Sequence, residues 1–409
     1  MIEHLIKKGV QITNPESVQI GDDVDPNRIA AKGVTIHTSC KILGAKTLIC
    51  EGAELGYEAP VTIKNCYIGP RVKLKGGYFE NAVFLEGAEA GSGAHVRAGT
   101  IFEEQASIAH TVGLKQTILF PFVTLGSLIN FCDCLMAGGT SRDNHSEVGS
   151  SYIHFNYTPN QDKATASLIG DVPNGVMLNQ APIFLGGQGG LVGPCRVAFG
   201  TVIAAGSIYR KDQLKPDRLV FEGGGRGGSV PYTTGIYRSV KRQVMNNFVY
   251  LGNLVALMAW YTHVRSRFVG DFYPLELHKG LVDTLNSAIA ERVKRFGSFC
   301  EKLDLSKQRY LEQMGEGASA TLLRQKEALY THRIRVDETI AAFLDQIARH
   351  GNPNFESTIQ NQIDSVGDAC YLDVIKSLDP RKSADGTQWL QEITDQVTKR
   401  LLGLFPALG

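Results

Sequence analysis

Leu191-Val-Gly-Pro-Cys-Arg-Val197-Ala-Phe-Gly-Thr-Val-Ile203-Ala-Ala-Gly-Ser-Ile-Tyr209 carries a large apolar residue at every sixth position, with small or turn-forming residues between. The same spacing runs through Val96, Phe102, Ile108, Leu114 and Phe120. A second apolar residue often follows, as at Val112, Ile118, Val202 and Ile208. Earlier pieces, Val18-Gln-Ile-Gly-Asp-Asp, Ile68-Gly-Pro-Arg-Val-Lys and Leu85-Glu-Gly-Ala-Glu-Ala, repeat the theme with slips. A six-residue unit makes one short strand and one corner. Three units close a triangular coil, and stacked coils pair their strands in parallel. The residue at each sixth position then points inward onto its copies in neighbouring coils. Small corner residues let the backbone turn tightly. A β-sandwich, with strands every eight to twelve residues or so, is the competing architecture, and sustained spacing of six disfavours it. The expected fold class is a parallel β-helix of hexapeptide repeats. Periodicity alone does not set its hand.

Composition bounds the rest. The chain has 409 residues, which favours two or three domains. Lys plus Arg total 42 and Asp plus Glu 41, a net charge of +1. That balance lacks the basic field of a nonspecific nucleic-acid binder, so no nucleic-acid partner is expected. Glycine is enriched, with 44 residues, as a fold with many tight corners requires. The N-terminus, Met-Ile-Glu-His-Leu-Ile-Lys-Lys, has no signal-peptide pattern. The most apolar stretch, Phe248 to Trp260, is interrupted by Gly252 and Asn253 and is too short to span a bilayer. The eight cysteines are scattered without a C-x-x-C pair. A cytoplasmic protein with reduced thiols and no membrane partner is expected.

The chain changes character near residue 230. Residues 1–220 form the expected β-helix. The glycine cluster within 221–234, Phe221-Glu-Gly-Gly-Gly-Arg-Gly-Gly-Ser229, reads as a linker. A phosphate-cradling loop is the alternative, but the cluster lacks the P-loop Lys-Ser/Thr ending. Residues 235–409 read as an α-helical bundle or oligomerisation domain. Val240, Val244, Phe248, Leu251, Leu254 and Val255 follow helical spacing. A second helix is expected over about 275–303 and a third over 318–350, ended by Gly351-Asn-Pro-Asn. Trp260-Tyr261 reads as buried core rather than a ligand-stacking pair.

The six-residue period resembles the hexapeptide-repeat acyltransferases, whose fold is a left-handed parallel β-helix and which are usually homotrimers. Residues 94–210 look most like the acetyltransferase half of bifunctional N-acetylglucosamine-1-phosphate uridyltransferase/glucosamine-1-phosphate acetyltransferases. The shared stretches are Val96-Arg-Ala-Gly99, Val112-Gly-Leu-Lys115, Phe155-Asn-Tyr157 followed by Ile169-Gly-Asp171, and Ile203-Ala-Ala-Gly206. The resemblance implies a reaction: an acyl group passes from acetyl- or acyl-coenzyme A to an amino sugar phosphate or nucleotide sugar. It implies that Arg97 and Lys115 bind phosphate, and that Asn156 and Tyr157 lie at the sugar and acyl site. Ala204, Ala205 and Gly206 match the corner along which the coenzyme arm runs. These residue types suit that chemistry. Arg offers phosphate a fork and Lys a point charge. A thioester carbonyl needs donors where negative charge develops.

The departures from the family are as informative. Its histidine base falls on Ser127 and its tyrosine on Asn130, and serine alone is no base near neutral pH. Asn130 is kept as a substrate-binding candidate. Nothing before residue 94 resembles the family's uridyltransferase half, so nucleotidyl transfer is not expected. About six extra residues fall around Ala137-Gly-Gly-Thr-Ser-Arg-Asp-Asn-His-Ser-Glu147, a polar loop expected to bulge near Asn156. There His145 is the candidate base, oriented by Asp143 or Glu147, and Arg142 a further phosphate ligand. His110 and His154 are rivals, with His154 next to Phe155-Asn156. Cys132, Cys134, His145 and His154 could be read as a metal set, but Cys-x-Cys is not a usual zinc spacing and no metal is expected. The alternative function is a β-helix that binds sugar nucleotides, or acts as a scaffold, without catalysis.

Overall fold

The computed structural model describes residues 1–222, 232–367 and 370–408. The expected linker therefore lies largely outside the described residues. The N-terminal region is a parallel β-solenoid of triangular cross-section. An eleven-stranded sheet forms its first face, including Ser107–Ile108, Thr124–Leu125, Glu147–Val148, Phe184–Leu185, Val202–Ile203 and Leu219–Val220. From each coil of that face the chain turns onto a second face, then a third. Gly113–Leu119 and Asn130–Met136 each bend across both. Ala94–Val96 and Ile153–Phe155 belong to the second face. Thr100–Phe102 and Ser167–Ile169 belong to the third.

Register explains the six-residue spacing. Ile108 pairs with Leu125, Leu125 with Val148, Val148 with Leu185 and Leu185 with Ile203, so one column of aliphatics fills the prism. Val96, Phe102, Ile108, Leu114, Phe120, Leu191, Val197, Ile203 and Tyr209 are all buried. Each such side chain removed from water contributes about 1.5–3 kcal/mol. The secondary apolar positions divide. Val112 and Ile118 are buried, whereas Val202 and Ile208 face outward, half exposed.

The helices are α1 (Ile2–Lys8), α2 (Val172–Gly175), α3 (Lys241–His263), α4 (Leu275–Met314), α5 (Ala320–His332), α6 (Ile334–Arg349), α7 (Pro353–Val366), α8 (Tyr371–Lys376) and α9 (Pro380–Gly403). The second expected helix continues past 303 to Met314, because Ser306 and Tyr310 still bury the same face. The third is interrupted at Arg333, whose backbone stays helical, so α5 and α6 run as two segments. α3 is buried nearly all round and forms the bundle core. Trp260 and Tyr261 are fully buried there, as expected. No helix among the described residues is long and apolar enough to cross a membrane.

The bundle lies against the third face. Gly280 of α4 packs so close to Tyr67 that a Cβ would meet its ring at 2.3 Å. Asn253 of α3 accepts the Val172 N–H. Outward residues of the third face, such as Tyr67, Val83 and Ile101, are buried. On the first and second faces outward residues such as Lys73, His95 and Asn130 stay exposed.

Candidate functional site

The corner between the second and third faces collects the phosphate-binding candidates. His95 pairs with Gly113 and Val96 with Leu114, which brings Arg97 level with Lys115 one coil on. Lys115 in turn pairs with Cys132. Arg97 Nη2 lies 3.8 Å from the Cys132 sulfur, and that thiol reaches Asn130 Oδ1 at 3.5 Å. The backbone turns here through a left-handed position in each coil: Gly99, Gln116 and Asp133 have φ of 76°, 52° and 63°. Burial pushes the Cys132 thiol up, as does Asp133, and the charges of Arg97, Lys163 and Lys115 oppose it. Arg97, Lys163 and Lys115 thus all act electrostatically on one half-buried sulfur, and Arg97 also contacts it. Lys163 was not legible in the sequence, because nothing in Gln161-Asp-Lys163 marks it as part of this corner.

Asn156 sits in the same corner. Its Nδ2 donates to Asp133 Oδ2 at 2.6 Å, and Arg292 of α4 pairs with Asp133 Oδ1 at 2.5 Å. Asp133 and Arg292 are both nearly fully buried, so each neutralises a charge that would be costly alone. Arg292 also donates to the Lys163 carbonyl. Lys302 donates to the carbonyls of Asn160 and Gln161. Tyr237 and Gln243 donate to the Asp162 carboxylate. The loop bearing Asn156, Tyr157 and Lys163 is therefore held by the helical region. Tyr157 itself is exposed.

His154 is inside the prism, not on its surface. Nδ1 lies 2.6 Å from the Cys132 carbonyl and Nε2 2.8 Å from Ser167 Oγ. Burial pushes its imidazole down to about 4. With both nitrogens bonded and no exposure, it is a satisfied core residue rather than a reachable base.

The polar insertion is a hairpin, Gly139–Ser141 against Asn144–His145, and it leaves a different corner, between the third and first faces. The expectation that it bulges beside Asn156 does not hold within one chain. The buried third-face strand separates them. Arg142 does not join Arg97 and Lys115 either. Its Nη1 donates to the carbonyls of Gln105 and Phe122 and to Thr124 Oγ1, tying the hairpin to the two preceding coils. His145 Nδ1 lies 2.7 Å from the Arg142 carbonyl, and Nε2 3.9 Å from Glu147. Because a carbonyl only accepts, Nδ1 carries the hydrogen and Nε2 is the basic nitrogen.

Ala204, Ala205 and Gly206 form the third corner, between the first and second faces. Gly206 has φ 74° and open space around it. Ser127 lies at the same corner several coils earlier, and His110 one coil before Ser127, where the Leu128 N–H donates to the His110 carbonyl. Among the described residues no group of His, Cys, Asp and Glu could hold a metal ion.

No family model matches the chain. Over 209 residues it is 29% identical to the bifunctional protein GlmU of Pelobacter propionicus, which spans 51% of this chain and 40% of that protein. Over 218 residues it is 26% identical to the protein of the same name from Thermotoga maritima, spanning 52% and 42%. The chain thus covers about two fifths of the length of these curated relatives. The likeness supports the left hand expected for the β-helix. Over about half of this chain the solenoid is thus similar to one segment of bifunctional protein GlmU, and its coils fit a hexapeptide-repeat acetyltransferase.

Proposed function

We propose that this chain is an acyl-coenzyme A-dependent N-acyltransferase for an amino sugar phosphate or nucleotide sugar, with sites completed between copies of a homotrimer. The observation that carries the reading is the cationic corner: Arg97 and Lys115 in adjacent coils, Lys163 beside them, and Asn156 one step away. Arg97, Lys115 and Lys163 hold phosphate. Asn156 keeps its carbonyl oxygen for the sugar, since its amide is tied to Asp133. Asn130 and Tyr157 flank the acceptor, whereas Ala204, Ala205 and Gly206, at the corner shared by the first and second faces, lie one prism face away from it and take no part in the transfer step. The substrate amine attacks the thioester carbonyl, a C–N bond forms and the C–S bond breaks. His145 Nε2 takes the amine proton and returns it to the departing thiolate.

The geometry asks that His145 come from a neighbour. The helical region covers the third face, leaving the first and second faces for assembly. Set around their shared corner, three prisms place the first face of one copy on the second face of the next, a head-to-tail ring. The outer edge of the first face carries the hairpin, and the outer edge of the second carries Arg97 and Lys115. Both faces bear apolar ladders. On the first, Phe184, Val202 and Leu219 are in register and partly exposed. On the second, Ile153, Phe155 and Ile208 are exposed as well. Apolar rows of this kind mark an interface.

Release of free thiol from acetyl-coenzyme A with glucosamine-1-phosphate as acceptor tests the reading. Arg97→Ala and Lys115→Ala are each expected to raise acceptor KM by about tenfold or more, the loss of one charged hydrogen-bonding partner. Unchanged KM in both variants contradicts the phosphate role. A second reading, ligand binding without turnover, is favoured by one observation: Ser127 stands at the family's base position. Stabilisation by a sugar phosphate or UDP-sugar with no thiol release supports it.

A further inference from the structure

On the second face one outward row runs Tyr78, His95, Gly113, Asn130, each paired with the next in the following coil. The rings of Tyr78 and His95 stack, with centroids 5.1 Å apart and planes 25° from parallel. Tyr78 occupies one face of the imidazole, and the other face is turned toward Gly113. There the ladder has a vacancy. A Cβ on Gly113 would meet one atom, Asn130 Oδ1 at 3.9 Å. The glycine has no positive φ, so neither backbone conformation nor crowding calls for it. Neighbouring coils stack about 4.8 Å apart, so His95 and Asn130 stand about 9.6 Å apart across the vacancy. A planar ring in contact on both sides needs about 7–8 Å. His95 and Asn130 are exposed and Gly113 is half-exposed, so the slot opens to solvent.

We propose that this slot takes the base of a pyrimidine nucleoside diphosphate sugar, stacked on His95 over Gly113, with the diphosphate at Arg97 and Lys115. The inference rests on the phosphate role proposed for those two residues, and it selects the nucleotide sugar as acceptor. The register carries it. Arg97 follows His95 by two residues on the same face, and Lys115 follows Gly113 by two. Two residues along a strand span about 6.6 Å, the reach of one ribose between base and phosphate. A histidine face is a stacking platform for a base. Asn130 narrows the choice of base. Its Oδ1 accepts from the Cys132 thiol, which leaves Nδ2 to donate to a ring carbonyl. Uracil and cytosine carry such a carbonyl, whereas adenine has none. In the ring of three copies, the first face of the neighbour lies over the slot, and coils of equal height meet by symmetry. The row there is Ser107 and Thr124, short side chains whose hydroxyls bond each other at 3.2 Å. The exposed apolar rows belong to later coils, Ile153 and Ile208 on one face and Phe184 and Val202 on the other. The copies are therefore gripped beyond the slot, and the seam at the slot stays polar.

Calorimetric titration of the full chain with UDP, ADP and pyrophosphate tests it. UDP is expected to bind at least tenfold more tightly than pyrophosphate, the effect of one stacked base, and several-fold more tightly than ADP. Gly113→Leu fills the slot at a position where a side chain meets no clash. It should leave Tm and pyrophosphate binding unchanged and bring UDP down to the affinity of pyrophosphate. His95→Ala should weaken UDP about tenfold and spare pyrophosphate, whereas Arg97→Ala should weaken both. Equal affinity of the wild type for UDP and pyrophosphate overturns the slot and leaves the cationic corner standing. So does UDP binding that Gly113→Leu does not weaken. ADP binding as tight as UDP overturns the choice of a pyrimidine. UDP binding that Arg97→Ala leaves intact contradicts the phosphate reading, and the proposal falls with it. Absence of binding by either ligand at millimolar concentration overturns both.

Discussion

His154 and His145 separate on burial and on which nitrogens are already engaged. His154 spends both nitrogens on Cys132 and Ser167 inside the prism, whereas His145 keeps Nε2 free on the hairpin. Their fates were hard to read from Ile153-His-Phe155, because strand alternation normally sends the apolar residues in. Here it is reversed: Ile153 and Phe155 face outward and His154 faces in. An inward imidazole held neutral has a consequence for stability. Its folded value, about 4, lies below the ordinary value near 6.5. The contribution is therefore fully present above about 6.5 and is lost as pH falls toward 4, where only the unfolded chain takes up the proton. Across that window the wild type should lose up to about 1.4 kcal/mol per pH unit more than a His154→Gln variant. Urea unfolding at pH 7, 6, 5 and 4 measures this, and parallel curves for the two proteins contradict the buried neutral assignment.

At the scale of elements, α4 is what ties the helical region to the candidate site. Gly280 allows the helix to lie on Tyr67, and Arg292 further along reaches Asp133 and the Lys163 carbonyl. The helices themselves were legible from apolar spacing. Their partners on the solenoid were not, since the match of Arg292 to Asp133 is set by packing between distant segments. Arg292→Met should cost about 3–5 kcal/mol, because it strands a buried carboxylate. Adding Asp133→Asn should recover much of that loss, since the stranded charge is then gone. Chemical denaturation of the single and double variants checks this, and additive losses would show that the two side chains do not act as a pair. The hexapeptide coils were legible for a simpler reason. Each inward residue repeats the same demand, so Leu114, Phe120 and Ile203 report one fold independently.

For the whole molecule, the sequence order of the site residues hides their arrangement. The hairpin at Gly139–Ser141 and the loop after Asn156 break the six-residue count, so spacing no longer tells which corner a residue occupies. One chain carries phosphate candidates, hairpin base and coenzyme corner on three separate edges of the prism. A head-to-tail ring brings the first two together across each interface, and the bundle on the third face leaves the surfaces for such a ring open. The most direct measurement is subunit mixing. Arg97→Ala chains, about tenfold or more weakened at low acceptor, and His145→Ala chains, which lack the base, are unfolded together at equal amounts, reassembled and assayed for acyl transfer at acceptor well below its KM. Random assembly gives each site about one chance in four of drawing Arg97 and His145 from intact halves, so activity should return to roughly a quarter of wild type. Reassembled trimers that stay as inactive as the separate variants would contradict a site shared between chains.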